Sequence, residues 1–359
     1  MDVKENIQRW VRPEIRALSA YHVPPADGLV KLDAMENPWP WPVELRQAWL
    51  EVVQAAALNR YPDPTAGALQ AALREAMSVP AAAQVMLGNG SDELIQMIVQ
   101  TVAAPGRVIM APEPTFVMYR QIAAVCGLEF SGVPLNTDFS LDRRQLLAAV
   151  EAWQPAVIFL AYPNNPTGNL FDANVIRELL GVAEGLVVVD EAYAPFTDAS
   201  FMSALGELNN LLVLRTVSKM GLAGIRLGML AGDPAWLEQI DKTRLPYNIG
   251  TLNQLTGVFA LAHKSVFDEQ ARKIRGARGE LDVRLRELGQ LTVYPSEANF
   301  ILFRVPQGRA DALYSGLREA GVLIKNLHGS SQALQDCLRV TVGQPDENRA
   351  FIDALTGLL

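Results

Sequence analysis

Leu211-Leu212-Val213-Leu214-Arg215-Thr216-Val217-Ser218-Lys219, running on through Met220-Gly221-Leu222-Ala223-Gly224-Ile225 to Arg226, decides how the rest of the chain is read. The run Leu211–Leu214 has the length and continuity of a buried strand. It delivers a Ser-Lys pair at its end. A buried lysine loses several kcal/mol of hydration unless it is paired or neutral. A desolvated amine is a nucleophile able to hold a carbonyl compound as a Schiff base. Ser218 and Arg226 add a hydroxyl and a fixed cation, which together suit a phosphate. A lysine at a strand end can equally reach for water, so the surroundings must decide.

Working outward, Val85–Leu87, Val108–Met110, Val157–Leu160, Leu186–Val189 and Leu227–Leu230 are short apolar runs of the same kind. Continuous rather than alternating apolar residues mark a sheet covered on both faces. Helical stretches such as Asp92–Ala103 and Asp172–Ala183 separate some of the runs, which predicts an α/β sheet of mostly parallel strands. Ligands in such sheets sit at the carboxyl ends of the strands. A charged helical stretch over Val266–Leu288 then leads to further strands at Thr292–Tyr294, Phe300–Arg304, Val322–Lys325 and Leu338–Val342. The reading divides the chain into an arm over 1–44, a large domain over 45–265 and a small α/β domain over 266–359. The arm ends in Asn37-Pro38-Trp39-Pro40-Trp41-Pro42, whose prolines exclude a single regular element.

The 359 residues are half apolar and 19% charged, with a net charge of -8. That balance suits a globular protein and argues against nucleic acid as the main partner. No apolar run reaches transmembrane length, and the first residues lack a signal-peptide core. Cys126 and Cys337 are too few for a disulfide framework or a cysteine metal site, and the three histidines show no ligand spacing. The expectation is a cytoplasmic protein without a metal or a membrane partner.

The strand ends carry the chemistry. Gly88-Asn89-Gly90-Ser91-Asp92 opens a helix, where free amides either bind an anion or are capped by Ser91. Phe116 follows the second strand and can stack on a flat ring or simply pack. Asn165, within Tyr162-Pro163-Asn164-Asn165-Pro166-Thr167-Gly168, offers an amide to a phenolate-type oxygen. Asp190 follows three β-branched residues, where an unpaired carboxylate is costly, so it needs a cation or a proton donor. A protonated pyridine nitrogen would serve, with Tyr193 within reach of the same ring. Together with Lys219, these pieces ask for a flat, phosphorylated aldehyde with a ring nitrogen. Pyridoxal 5′-phosphate fits that description.

The ordered series resembles the fold-type I pyridoxal-phosphate aminotransferases over essentially the whole chain, through Asn164–Gly168, Asp190 with Tyr193, and Ser218-Lys219 with Arg226. Leu32–Pro38, Arg60–Pro64, Gly88–Glu93 and Leu338–Gly343 resemble the histidinol-phosphate branch of that family. The resemblance implies a large domain with a mostly parallel seven-stranded sheet and a homodimer with shared active sites. It implies that Lys219 carries the cofactor and shuttles the substrate proton, and that Asp190 pairs with the pyridine nitrogen. Tyr193 and Asn165 would then bond the phenolic oxygen while Phe116 stacks on the ring. The phosphate falls to Gly90, Ser91, Asp92, Ser218, Arg226 and Tyr61 of a second subunit. Arg339 is implied to grip the carboxylate of glutamate, and Tyr21, Asn37 and Lys325 to line the pocket for imidazole-acetol phosphate.

Two departures stand out. The spacing from Lys219 to Arg226 is one residue shorter than the common family spacing, and Lys325 stands where many relatives carry arginine. Other readings keep the chemistry but change the substrate, to an aromatic amino acid or another phosphorylated amino compound. A ligand sensor on the same fold would carry an added DNA-binding segment, and the arm over 1–44 lacks helix-turn-helix patterning. A dehydrogenase reading fails because the glycine fingerprint is incomplete after the first strand, where Glu93 occupies the third glycine position.

Overall fold

The computed structural model describes residues 2–20 and 24–359. Thirteen strands occur among them: β1 (Val30–Lys31), β2 (Gln84–Gly88), β3 (Val108–Glu113), β4 (Glu129–Pro134), β5 (Val157–Ala161), β6 (Leu186–Asp190) and β7 (Leu211–Thr216), then β8 (Gly228–Gly232), β9 (Thr292–Val293), β10 (Phe300–Arg304), β11 (Val322–Leu323), β12 (Lys325–Asn326) and β13 (Cys337–Thr341). The principal sheet has seven strands in the order β2-β8-β7-β6-β5-β3-β4. Its strands from β4 to β7 are parallel, and β8 runs antiparallel to β7 and β2. The fold is α/β with a mostly parallel sheet, as expected.

Both faces of this sheet are covered. Ile158, Leu160, Val187, Val189, Leu211 and Val213 enter one apolar cluster, and Val157, Phe159, Leu186, Val188, Leu212 and Leu214 enter another. Alternate side chains thus find equally apolar surroundings on opposite faces, which is why the strands show no polar alternation. β4 escaped the sequence reading because it is an edge strand, mostly part-exposed and interrupted by Gly132 and Pro134.

Register brings the site together. Ala161 lies beside Asp190, and Asp190 beside Leu214, so the turns after β5, β6 and β7 leave one sheet edge side by side. Gly228 pairs with both Thr216 and Gly88, which carries the 88–91 turn to the same edge. The approach there is backbone to backbone. A Cβ on Gly228 would stand 2.6 Å from the carbonyl carbon of Gly90 and 2.7 Å from the amide nitrogen of Ser91.

A second body is built on the four-stranded antiparallel sheet β12-β13-β10-β9. The helix Lys264–Glu287 leads into it. The expected single strand Val322–Lys325 is split, because β11 pairs in parallel with β1 of the amino-terminal segment while β12 pairs with β13. That segment also holds a helix at Val3–Trp10 and a short one at Pro13–Arg16.

Gly228→Ala is expected to lower unfolding stability by about 1–3 kcal/mol, because neither backbone at the contact can yield cheaply. Gly224→Ala meets nothing within 4 Å and serves as the control. Urea denaturation of the two variants checks this, and equal midpoints would refute it.

Candidate active site

The adjacent strand ends enclose a cavity lined by Ser91, Asp92, Phe116, Tyr119, Asn165, Asp190, Tyr193, Ser218, Lys219 and Arg226, among others. Nine of these ten side chains were expected at the site from sequence. Tyr119 was not.

Lys219 sits in the 3-10 turn Ser218–Met220 directly after β7. Its Nζ donates to the Ala34 carbonyl at 3.2 Å and stands 5.8 Å from the centre of the Tyr193 ring. Burial, and then the charge of Arg339, lower its amine from the usual 10.5 to about 8. Asp190, the last residue of β6, is buried; it accepts from the Tyr119 hydroxyl at 2.7 Å and the Ala192 amide at 3.1 Å. Desolvation outweighs both bonds and pushes its carboxyl up to about 6. The neighbouring Glu191 is locked by Arg215, a salt bridge of 2.7 Å, and by Ser200. This explains the arginine in the β7 run: it fixes the turn that follows Asp190.

At the opposite end of the cavity, the helix Ser91–Val102 begins with no side chain capping its first amides. Arg226 lies over this start, 3.3 Å from both Ser218 Oγ and Asp92 Oδ2. The shortened loop from Lys219 is accommodated by two 3-10 turns with Gly221 at φ 119° between them, and Arg226 itself takes φ 45°. Gly90, at φ 85°, faces the guanidinium, and a Cβ there would meet Arg226 Nη2 at 2.6 Å. Phe116 stands edge-on to Tyr119 at 5.5 Å.

A larger cleft of about 1110 Å³ shares Met35, Phe116 and Asn165 with this cavity and contains Lys325 and Arg339. These two cations are direct cross-strand partners on β12 and β13. Paired residues in an antiparallel ladder share one face of the sheet, so both charges serve the same cleft. Arg339 donates to the Asn165 side chain and, at 3.2 Å, to the Asp33 carbonyl, with its guanidinium 5.0 Å from the centre of the Phe300 ring.

Two expected residues, Tyr61 and Asn37, lie elsewhere. Tyr61 is 80% exposed and stacks on Tyr247 at 4.5 Å, outside the cavity of the single chain. Asn37 is a strut rather than part of the cleft lining. Its amide donates to Met220 O and Gln270 Oε1, and its oxygen accepts from the Trp39 amide. Tyr21 lies outside the described residues.

Met35 was also missed by the sequence reading. At φ 54° it is clasped by Thr341 and Asn299, and it brings its sulfur to 3.6 Å from the Tyr193 hydroxyl. A lone methionine in a proline-rich arm gives no signal of this.

Residues 28–355 match the family model for aminotransferase class I and II, and the chain belongs to that family. It is 54% identical over 352 residues to histidinol-phosphate aminotransferase 2 of Nitrosococcus oceani, covering 98% of each chain. It is 52% identical to the histidinol-phosphate aminotransferase of Chromobacterium violaceum, covering 98% of this chain and 99% of that one. Among solved structures, the Sinorhizobium meliloti histidinol-phosphate aminotransferase in complex with pyridoxal-5′-phosphate has the same fold, with a TM-score of 0.86 at 24% identity over 97% of each chain.

The raised carboxyl of Asp190 has a defined sign. The folded protein holds this proton more tightly than the unfolded chain, so the stabilisation is full below pH 4 and is lost as pH rises through about 6. A shift of about two units corresponds to about 3 kcal/mol. Asp190→Asn should flatten this part of the ligand-free stability profile between pH 4 and 7, read by denaturant titration. An unchanged profile would contradict the assignment.

Proposed function

We propose that this chain transfers an amino group between L-glutamate and imidazole-acetol phosphate, giving 2-oxoglutarate and L-histidinol phosphate in histidine biosynthesis, with pyridoxal 5′-phosphate as cofactor. The names of its half-identical, full-length relatives support that substrate pair over aromatic amino acids. The observation that carries the chemistry is the meeting of a buried carboxylate, a lysine of lowered basicity and an uncapped helix start in one cavity.

The residues fit the cofactor. Asp190 is a desolvated carboxylate suited to a protonated ring nitrogen, and the Gly90–Arg226 contact leaves a cradle that any Cβ would fill. When bound, pyridoxal phosphate supplies an electron sink for charge developing on the substrate's amine-bearing carbon. In this reading, Lys219 would hold its aldehyde, Phe116 would stack on its ring, and Asn165 and Tyr193 would bond its phenolic oxygen. Amides of Gly90, Ser91 and Asp92, with Ser218 and Arg226, would hold its phosphate.

Lys219 also moves the proton of the amine-bearing carbon. The fall in its pKa from 10.5 to about 8 raises its neutral fraction near pH 7 by roughly three hundredfold. Arg339 grips the glutamate carboxylate through its planar fork, and Lys325 adds a point charge for the substrate phosphate. Histidinol phosphate has no α-carboxylate, so its phosphate takes over the cations that otherwise hold glutamate. Asn37 acts at one remove, by holding the arm against the loop after Lys219.

The same reading includes a cytoplasmic location, an arm over 1–44, a large domain over 45–265 and a small domain over 266–359. It also includes a homodimer in which Tyr61 reaches the neighbouring site. Leu58, Tyr61 and Leu245 are each at least 70% exposed, apolar side chains of the kind a second copy would bury. Among the described residues no helix is long and apolar enough to cross a membrane.

The test is to load the purified protein with pyridoxal phosphate and add histidinol phosphate alone. Conversion of the bound cofactor to pyridoxamine phosphate, abolished by Lys219→Ala, is the expected result. Discharge by glutamate and aromatic amino acids but not by histidinol phosphate would replace the substrate. Lys325→Ala should raise the KM for histidinol phosphate by about tenfold or more, and that for glutamate less, because a phosphate carries more negative charge to this cation than a carboxylate does. Equal changes in both constants would remove Lys325 from the phosphate site.

A further inference from the structure

Tyr119 has no role in the reading above, yet its position is unusual. Its side chain is fully buried, lies parallel to Phe159 with ring centres 4.7 Å apart, and meets Phe116 edge-on. It sits in the first turn of the helix Met118–Val125, and its hydroxyl ends 2.7 Å from Asp190 Oδ2. That bond is the one side-chain hydrogen bond recorded to Asp190 among the described residues; the other donor is the Ala192 amide.

We infer that Tyr119 is a positioning residue: its hydroxyl holds the Asp190 carboxylate ionised and aimed into the cofactor cavity, while its ring fixes the edge of Phe116. One phenol thereby ties together the two groups that would meet the ring nitrogen and the ring face. The inference rests on the proposed pairing of Asp190 with that nitrogen.

The groups around Asp190 give the bond its weight. Asp92 from the helix Ser91–Val102 and Glu191 from the same turn both oppose ionisation of Asp190, and so does burial. Tyr193 lies alongside, with Lys219 and Arg226 across the cavity. Against this opposition the Tyr119 bond is the largest influence keeping the carboxyl ionised. The phenol stays protonated throughout, since burial and Asp190 itself hold its pKa well above the usual value. A donor that cannot ionise in the working range is a fixed support for the anion.

The test compares wild type with Tyr119→Phe, which keeps the ring and removes the donor. Pyridoxal phosphate affinity is measured by equilibrium dialysis from pH 5 to 9. Protonation of Asp190 weakens binding on the acid side. In the variant this acid limb should move to higher pH by about one to two units, roughly a ten- to hundredfold loss of affinity at a fixed acidic pH. Every other titrating group, the cofactor's own included, is common to the two proteins. Site-specific 3-fluorotyrosine at 119 keeps the bond with a stronger donor and should move the limb the opposite way, which covers a Phe variant that does not fold. Coincident acid limbs would overturn the inference, even if the variant melts at a lower temperature, because a purely structural role changes stability without moving the limb. Wild type that binds no pyridoxal phosphate at any pH would instead overturn the proposed function.

Discussion

The site depends on a carboxylate placed where a carboxylate should not be. Asp190 ends a strand whose residues are all buried, at the centre of a sheet covered on both faces. Water cannot solvate it, and two hydrogen bonds do not replace hydration. The ligand-free fold therefore carries an unmet demand for positive charge at one point. A cation delivered there by a ligand is held by the whole sheet, because the strand cannot move without breaking its ladders to β5 and β7. The demand also sets the neighbours. Glu191 needs Arg215, Arg215 stands near the end of β7, and the same strand then carries Lys219 to within reach.

What the sequence disclosed follows from this geometry. Residues that must stand at strand ends are marked by the apolar runs before them, so Asn165, Asp190, Ser218 and Lys219 could be placed on a sheet edge without coordinates. Gly90 and Arg226 were legible because a turn opening a helix beside a cation marks itself by its glycines and its charge. Tyr119 was not, since its partner lies 71 positions away and a tyrosine in a helix carries no local mark. Met35 was hidden for the same reason. The facing of Lys325 and Arg339 depends on the register of a short antiparallel pair, which residue types alone do not specify. The bonds of Asn37 to Met220 and Gln270 were not legible, because an amide in such a motif looks the same whatever it holds. β4 went unread because edge strands lack the apolar continuity of central ones.

The two ends of the site are made of different material. At the end where the helix Ser91–Val102 begins, Gly228 meets the Gly90-Ser91 backbone and Gly90 meets the Arg226 guanidinium, so neither glycine has room for a side chain. At the other end, long charged side chains reach into a wide cleft from a separate sheet. Substitution can therefore reshape what the cleft admits, one residue at a time, while the glycine contact stays closed to variation. A lineage descending from this chain would be free to change its diet and obliged to keep its cofactor.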